Sequence, residues 1–589
     1  MIGKRRLAGI GRVVVFAVFL LCTVGCGAGT QNSQQAPAPP IKVATLVPSY
    51  AVAGSSAFDV FVNGSGFTAF SIVQWNGTAL PTTFGTSAIL TASVSSSLIA
   101  APGTVSITVK DSVSGAVSNT QPFGIASPAA ATAGVIGLIT IATDGKAADA
   151  DSLVPPSINA DGRYVAFQSA ATNLVPGPAS GFQDVYLRDT CLGSAPPDCV
   201  PSTIRISVTF DGSPANFHSF DSSVSADGRF VAFDSEATNL LPGTSSCTNT
   251  CVFLRDTCNG ATAGCVPATK LISQAMDGSA AGGANPAISS HEFVAFNSNA
   301  TNIVNGDTNG VADVFVRDTC SGAAAGCSPS NTLVSVPSTG GVGNAQSGLP
   351  AISSTGRFIA FQSWATNMVP NGIMAPGEYW RDTCTGATDA CTPATLRIDL
   401  AANGVPPNNS IFNGAIPAIS SDGRMVAFSS TATNLVSANV GGMGNIYVRD
   451  TCMGAPVGCA QNTSLVSLGN DGSTGNSSSG HQSMSSSARY VAFASLASNL
   501  VPGDTELAGG FKDVFVRDTC FGASPNCIPT TVRVSVTNTP NPETQASAIS
   551  DYPAISGDGH YVVFLSAATN LVPIGTNGHG MVFLAKTGF

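Results

Sequence analysis

The stretch "GRFVAFDS" (228–235) decides the fold, because the chain repeats it with small changes from residue 163 to residue 566. The phrase R-[YF]-[VI]-A-F-x-S, or a close variant, places a phenylalanine at Phe167, Phe233, Phe296, Phe361, Phe428, Phe493 and Phe564. The period is about 65 residues, so the array holds seven units. Each unit contains four short runs, as in "NPAIS" (285–289), "FVAFNS" (293–298), "DVFVRD" (313–318) and "TLVSV" (332–336), bounded by Gly, Asp, Asn or Pro. Four strands make one small sheet. Both alternating faces of "FVAFNS" and "DVFVRD" are apolar, which suits a sheet packed between two neighbours and not a one-sided hairpin. Stacked four-stranded sheets of this kind follow the logic of propeller blades.

The ends of the array distinguish a ring from a linear stack. The last unit stops after its third run, "MVFLAK" (581–586), whereas the array opens with "GLITIATDGKAAD" (137–149), which matches a fourth-strand phrase and has no strands of its own before it. Pairing of residues 137–142 beside 581–586 closes the ring and hides both sheet edges. The motif "S-x-D-G-R-[YF]-V-A-F-x-S" followed by "D-[VI]-[FY]-[VL]-R-D" resembles the TolB-like, WD-like β-propeller repeat. Residues 137–589 are therefore predicted to form a seven-bladed propeller after a linker at 128–136. Departures from the motif are local: "HEF" (291–293) replaces the Asp-Gly-Arg turn, and Gly377 in "GEYWRD" replaces the strand-opening Asp. No α/β domain of the kind TolB carries precedes the array, so membership of that transport system does not follow.

Residues 41–127 form a separate block of alternating β-rich runs, among them "FDVFVNGSGF" (58–67), "SIVQWNGTALPTTF" (71–84) and "GTVSITVKD" (103–111), divided by Asn-Gly and Pro-Gly turns. Their order resembles the IPT/TIG immunoglobulin-like domain, which implies a spacer or protein-binding module with Trp75 as a core anchor. The expected fold is thus all-β: a small Ig-like β-sandwich followed by a seven-bladed β-propeller closed by its N-terminal strand.

The first residues read as an export signal. Lys4, Arg5, Arg6 and Arg12 precede a nine-residue apolar run, "VVVFAVFLL" (13–21), too short to span a bilayer. The following "TVGC" (23–26) resembles a bacterial lipoprotein motif, with Thr23 where Leu is usual. The resemblance implies a signal peptide at 1–26, Cys26 as the lipidated residue, a solvated tether at 27–40, and location at the outer membrane, periplasm or cell surface. An ordinary secretory signal cut nearby is the alternative, and it exports the chain equally. Only 10% of residues are charged and the net charge is −10. No basic cluster lies beyond the first dozen residues, which excludes the phosphate-backbone electrostatics of nucleic-acid binding. Membrane contact is expected only through the lipid anchor.

Of the sixteen cysteines, twelve fall in close pairs, one per unit in the first six: Cys191/Cys199, Cys258/Cys265, Cys320/Cys327, Cys384/Cys391, Cys452/Cys459 and Cys520/Cys527. They bracket the connection from third to fourth strand, and in an exported chain they read as local disulfides. The chain-entropy model gives roughly 2.5 kcal/mol for closing a loop of about eight residues. Zinc is the alternative, but no second cysteine pair or histidine stands beside them at zinc spacing. Cys247 and Cys251 add a further close pair, read as a seventh bridge with a metal site as the alternative, which leaves Cys22 and Cys26.

Signals of chemistry are sparse. The sequence lacks H-E-x-x-H, G-x-S-x-G and a phosphate-binding glycine loop. His218 and His481 lie on connections to first strands and read as solvated loop residues. The pairs Arg188-Asp189, Arg255-Asp256, Arg317-Asp318, Arg381-Asp382, Arg449-Asp450 and Arg517-Asp518 recur in one register, as structural pairing does and catalytic groups do not. The Asp-Gly of each "DGR" reads as a turn. "NGDTNGVAD" (305–313) offers oxygen ligands from Asp307, Asn309 and Asp313 around a glycine, a calcium loop in the manner of an EF-hand, against the plainer alternative of an Asx-turn. No other cofactor is expected. The reading that results is an exported, non-catalytic binding or scaffold protein presenting a propeller face to a protein or glycan. A propeller enzyme acting on extracellular glycans, a hydrolase or lyase, is the alternative.

Overall fold

The computed structural model describes residues 40–589 apart from 48–49, 53–56, 102, 127–132, 242–246, 248–249, 291–292, 322–325, 371–375, 388–389, 410, 412–414, 457, 503, 505–509, 524–526 and 538–544. Cys22, Cys26, His291 and most of the expected tether and linker therefore lie outside the described residues. Among the described residues the fold is all-β, with a single 3-10 turn at Ser96–Ile99. No described helix is long and apolar enough to cross a membrane.

Seven sheets repeat one plan: four antiparallel strands in sequential order. In repeat 2 these are Ser219–Val224, Phe230–Ser235, Cys251–Asp256 and Ala268–Leu271. In repeat 7 the first three are Ser550–Ile555, Tyr561–Ser566 and Met581–Lys586, and the fourth comes from the start of the array, Gly134–Leu138. Gly134 lies opposite Lys586 and Leu138 opposite Phe583, and the Ile139 amide adds a 2.8 Å bond to the Val582 carbonyl. This strand sits a few residues upstream of the 137–142 segment. The reason recurs in several repeats: residues that follow the fourth strand, here the buried apolar Ile139 and Ile141, belong to a tight hairpin, with Ile141 bridged to Ala147 as Val208 is to Pro214. Their alternation imitates a strand.

Alternation on the second strands sets how the sheets pack. Val231 and Phe233 share a core with Tyr164, Ala166 and Val185 of repeat 1, while Phe230 and Ala232 share another with Val294 and Phe296 of repeat 3. Corresponding cores join repeats 3 and 4, 4 and 5, and 5 and 6. The largest joins repeats 6, 7 and 1 through Val514, Phe564, Phe583 and Phe167. Each fully buried phenylalanine contributes about 1.5–3 kcal/mol by transfer from water.

The Asp-Gly turn adds a close approach between repeats. Gly228 has φ +76°, and a Cβ built on it would lie 1.9 Å from the Tyr164 ring of repeat 1. Gly162 meets Tyr561 of repeat 7 in the same way, at 2.3 Å. Only glycine meets both demands, a left-handed backbone and an aromatic ring against its Cα.

The same end of the first six sheets carries one disulfide each: Cys191–Cys199, Cys258–Cys265, Cys320–Cys327, Cys384–Cys391, Cys452–Cys459 and Cys520–Cys527 are all bonded. Cys247–Cys251 forms a seventh bridge at the opposite end, where the third strand of repeat 2 opens. The first cysteine of each repeated pair has positive φ, between 54° and 63°. That uncommon conformation is held by the bridge and by a bond from the cysteine amide to the preceding aspartate, 2.9 Å for Cys258 and Asp256. Asp256 also takes two bonds from the turn arginine, at 2.9 Å from Arg229 Nε and 2.7 Å from Nη2. The recurrent Arg-Asp neighbours are therefore structural but do not pair with each other. Asp256 binds the turn arginine, and Arg255 donates to Thr269 on the fourth strand at 3.0 Å.

Cys527 of repeat 6 does more than close a loop, which its spacing from Cys520 alone does not show. It follows directly on the undescribed residues 524–526, and its Cα lies 5.7 Å from that of Cys520. Its sulfur sits 3.8 Å from Asp518 and 3.9 Å from the turn arginine Arg489, so the bridge packs against the Arg489–Asp518 ion pair. The second cysteines of repeats 2 and 4, Cys265 and Cys391, approach Arg229 and Arg357 in the same way. Aspartate and two cysteines lie within 4.8 Å of one another in several repeats, but a bonded pair has no thiolate to offer a metal.

Residues 40–126 contribute a four-stranded and a five-stranded sheet around one core. Trp75 is 4% exposed and packs on Phe123 at 5.0 Å between ring centroids.

Candidate functional site

The first strand of each repeat starts at the end of the sheet opposite the disulfides. In five repeats that start is bulged: the register slips at Phe220/Ser222, Ala284/Ala287, Gly348/Ala351, Gly480/Ser483 and Asp551/Ala554. At four of the bulges a non-glycine residue has positive φ: Asn285, Leu349, His481 and Tyr552, at 50–55°. A bulge re-aims its side chain, and a left-handed residue of this kind is a place where strain is held for use. These positions differ from repeat to repeat, unlike the turns at the other end.

Two polar groupings result. In the first, His481 of repeat 6 places Nδ1 2.6 Å from Asp551 Oδ1 of repeat 7, and Lys512 Nζ lies 2.7 Å from the other carboxylate oxygen. The His481 ring stacks on Tyr552, with centroids 4.2 Å apart and planes at 15°. Burial alone would raise the Asp551 pKa, but bonds from His481 and Lys512 hold it below the usual carboxylate range. This carboxylate is an anionic clamp. His481 therefore lies in a strand with an acidic partner and a side chain 23% exposed, and the expectation of a solvated loop residue is corrected.

The second grouping joins repeats 2 and 3. Asn285 donates its side-chain amide to Asp221 at 3.1 Å and its backbone N–H to Asp234 at 3.3 Å. Asp234 is 2% exposed, and its second oxygen has no hydrogen-bond partner. Burial raises the pKa of Asp221, and burial together with the Asp221 charge raises that of Asp234 well above the ordinary range. Two carboxylates so placed favour retaining a proton between them.

Beside it lies an aromatic cluster. Phe217 is 43% exposed, with its ring 5.0 Å from both Phe182 and His218, and His218 stacks on Phe220 at 5.8 Å. His218 Nδ1 accepts the Gln183 backbone N–H at 3.2 Å, which fixes its tautomer, so it too is committed and not a free loop side chain. Of the other histidines, His560 pairs with Asp558 in a turn at 3.0 Å, and His579 reaches Asp151 at 3.2 Å, tying repeat 7 to the segment before repeat 1.

The suggested calcium loop lies at the same end. Val311 N–H donates to Asn309 Oδ1 at 3.1 Å, an Asx-turn, while Asn309 Nδ2 donates to Asp313 Oδ2 at 2.6 Å. Asp307 is 4% exposed, and neither of its carboxylate oxygens has a partner at full hydrogen-bond geometry; burial raises its pKa, and the nearby Asn309 backbone amide offsets this only in part. Away from this end, a cavity of about 530 Å³ separates the residue 40–126 sheets from repeats 7 and 1, with walls including Leu46, Phe58, Ile139 and Ile574.

Sequence reading missed Asp221, Asp234, Asn285, Lys512, Asp551 and Tyr552. Aligning the first strands, "SFDSSV" (219–224), "ANPAI" (284–288), "SGHQSM" (479–484) and "SDYPAI" (550–555), exposes Asp221, Asn285, Asp551 and Tyr552 as positions where the repeat rule lapses, whereas Asp234 lies on a second strand and Lys512 just before a third, outside that alignment.

No family model matches the chain, and no curated protein matches it. Solved structures similar to it include an auxiliary nutrient binding protein from Bacteroides ovatus ATCC 8483, 12% identical, covering 93% of this chain and 98% of that one at a TM-score of 0.28. A second, from Bacteroides thetaiotaomicron VPI-5482, is 10% identical over 94% of this chain and 99% of that one, with a TM-score of 0.28. An ancestral GH74 enzyme is 8% identical over 90% of this chain and 64% of its own, with a TM-score of 0.32. Likeness this weak assigns no function.

Proposed function

We propose that the chain is an exported, non-catalytic binding protein that presents the strand-opening end of its repeats to a protein or glycan partner. In this reading the seven repeat sheets are the blades of a TolB-like, WD-like propeller closed by Gly134–Leu138, and the two sheets of residues 40–126 are an Ig-like spacer of the IPT/TIG kind. Cys26 is the lipidated residue, holding the protein at the outer membrane or cell surface. Support for closure comes from the pairing of the first repeat-array strand with the last repeat and from the core shared by repeats 6, 7 and 1.

The observation that carries the binding role is the set of unrepeated, strained residues on the first strands. In a propeller the first strands line the central channel, so His481, Asp551, Tyr552, Asp221 and Asn285 surround its mouth, with Phe217 and Phe182 as an apolar platform beside them. Aromatic faces with directed polar groups suit a sugar ring or a peptide loop. His481, Asp551 and Lys512 satisfy one another in a closed hydrogen-bonded cluster, an arrangement that orients a partner.

The test is a glycan array and an envelope-protein binding screen on the full mature chain. His481→Ala and Phe217→Ala are expected to weaken binding at least tenfold, the second with unchanged melting. Unchanged affinity in both variants overturns the proposal. One observation favours a second reading, a glycan hydrolase or lyase: burial raises the pKa of both Asp221 and Asp234, the direction a general acid needs. Glycan cleavage by the wild type that Asp234→Asn abolishes would replace the first reading with the second.

A further inference from the structure

The seven repeats act as controls for one another at the start of the third strand. In repeats 1 and 6 an acid stands there and a fourth-strand arginine neutralises it. Arg205 Nε lies 3.2 Å from Asp184, and Arg533 Nη1 lies 3.5 Å from both Asp504 and Asp513. In repeat 4 the opening residue is Gly377, and the arginine in the same register, Arg397, turns to Asp399 at 2.6 Å. Repeats 2, 5 and 7 have neither charge: the opening residues are Cys251, Asn445 and Met581, and the fourth-strand residues are Leu271, Leu465 and Leu138.

Repeat 3 alone breaks this balance. It keeps both acids of repeat 6, with Asp307 corresponding to Asp504 and Asp313 to Asp513. Each of Asp307 and Asp504 lies nine residues after the last residue of the second strand, Ser298 or Ser495. Asp313 accepts from Ser335 Oγ just as Asp513 accepts from Ser535 Oγ. Where repeat 6 has Arg533, paired with Phe515, repeat 3 has Leu333, paired with Phe315. No described basic group reaches either acid within ion-pairing distance. Asp313 is satisfied by the neutral donors Ser335 and Asn309, but Asp307 is left with two buried oxygens, no side-chain donor, and only the Asn309 backbone amide nearby, short of full hydrogen-bond geometry. Its neighbours Gly306 and Thr308 are exposed, yet the carboxylate faces inward. An unpaired carboxylate costs several kcal/mol to hold out of water when water is one residue away.

We propose that repeat 3 binds a divalent cation, calcium, on Asp307 and Asp313, in the place where repeat 6 holds the Arg533 guanidinium. Hard carboxylate oxygens and a loop of flexible geometry suit calcium over softer metals. Asn309 serves as a positioning residue: its Oδ1 is spent on the Val311 amide, and its Nδ2 orients Asp313.

Calorimetric titration and thermal melting of the full mature chain, stripped with EGTA and then given calcium, test this. The expected result is binding of one ion per chain and a melting temperature about 3 °C higher at hundredfold excess over Kd. Asp307→Asn is expected to abolish both effects. Leu333→Arg, which installs the repeat 6 solution, is expected to raise melting in EGTA and remove the response to calcium. A wild type that melts identically in calcium and EGTA, a measurement that needs no variant to fold, overturns the proposal. So does a calcium response that survives in Asp307→Asn. Neither outcome bears on whether the strand-opening end binds a protein or glycan.

Discussion

At one end of the repeat sheets stand the glycine turns, the bidentate arginine–aspartate pairs and the disulfides, the same parts in nearly every repeat. At the other end stand Asp221, Asn285, His481 and Tyr552, each present once. The two ends belong to the same strands and share the same cores, so packing does not explain why one is uniform and the other is not. Uniform residues satisfy demands that each repeat makes on its neighbour, as Gly228 does for Tyr164. Residues that break the pattern meet demands found at one junction only, as His481 does for Asp551 and Asn285 for Asp221, and several occupy backbone conformations that cost energy. The contrast separates what the array needs in order to fold from what it does once folded.

The uniform end breaks the comparison most severely. Gly228→Ala forces a side chain into the Tyr164 ring at a left-handed backbone position, with an expected loss of about 4 kcal/mol in chemical denaturation. The same substitution at Gly212, which has positive φ but no atom within 4 Å of its built Cβ, is expected to cost only about 1 kcal/mol.

Glu378 sharpens the contrast from inside. It occupies the position where the other repeats have Val or Ile, and burial pushes its pKa up to about 8. A carboxyl whose folded pKa exceeds its unfolded value stabilises at low pH. That contribution is lost as pH rises from the ordinary value of 4.5 toward about 8. Glu378→Gln is expected to flatten the stability profile across that window. Glu378→Val is expected to raise stability at pH 8 by about 3 kcal/mol, read from denaturation midpoints.

Replacing Cys258 and Cys265 together by serine, or Cys520 and Cys527, is expected to cost roughly 2.5 kcal/mol, the value for a short closed loop. The smallest effect belongs to the variable end: Phe217→Ala, at a side chain already 43% exposed, is expected to change stability by no more than about 0.5 kcal/mol in the same assay.

The uniform end was legible in the sequence because repetition averages out local accident. Seven copies of one phrase gave the strand count, the two-faced burial and the cysteine pairing, and Cys247–Cys251 followed from proximity alone. What spacing could not give was the setting of the bridges, such as the Arg489–Asp518 pair against which Cys527 packs. The fourth-strand register was less legible, since Ile139 and Ile141 are buried with strand-like alternation while lying in a hairpin. The variable end was not legible residue by residue. His481 reads as a loop histidine until its partner, Asp551 some seventy residues on, is brought against it by the packing of repeat 6 on repeat 7. The charge imbalance of repeat 3 needed the register of the fourth strand before Leu333 could be matched with Arg533.

Amide hydrogen exchange along Met581–Lys586 tests the closure on which the rest depends. These residues lie between Tyr561–Ser566 and Gly134–Leu138. If Gly134–Leu138 pairs there in solution, the amides facing both neighbours should be protected as strongly as those of Asp313–Asp318, an interior strand of repeat 3. Fast exchange confined to the amides that face Gly134–Leu138 would mark Met581–Lys586 as an open edge and contradict the account.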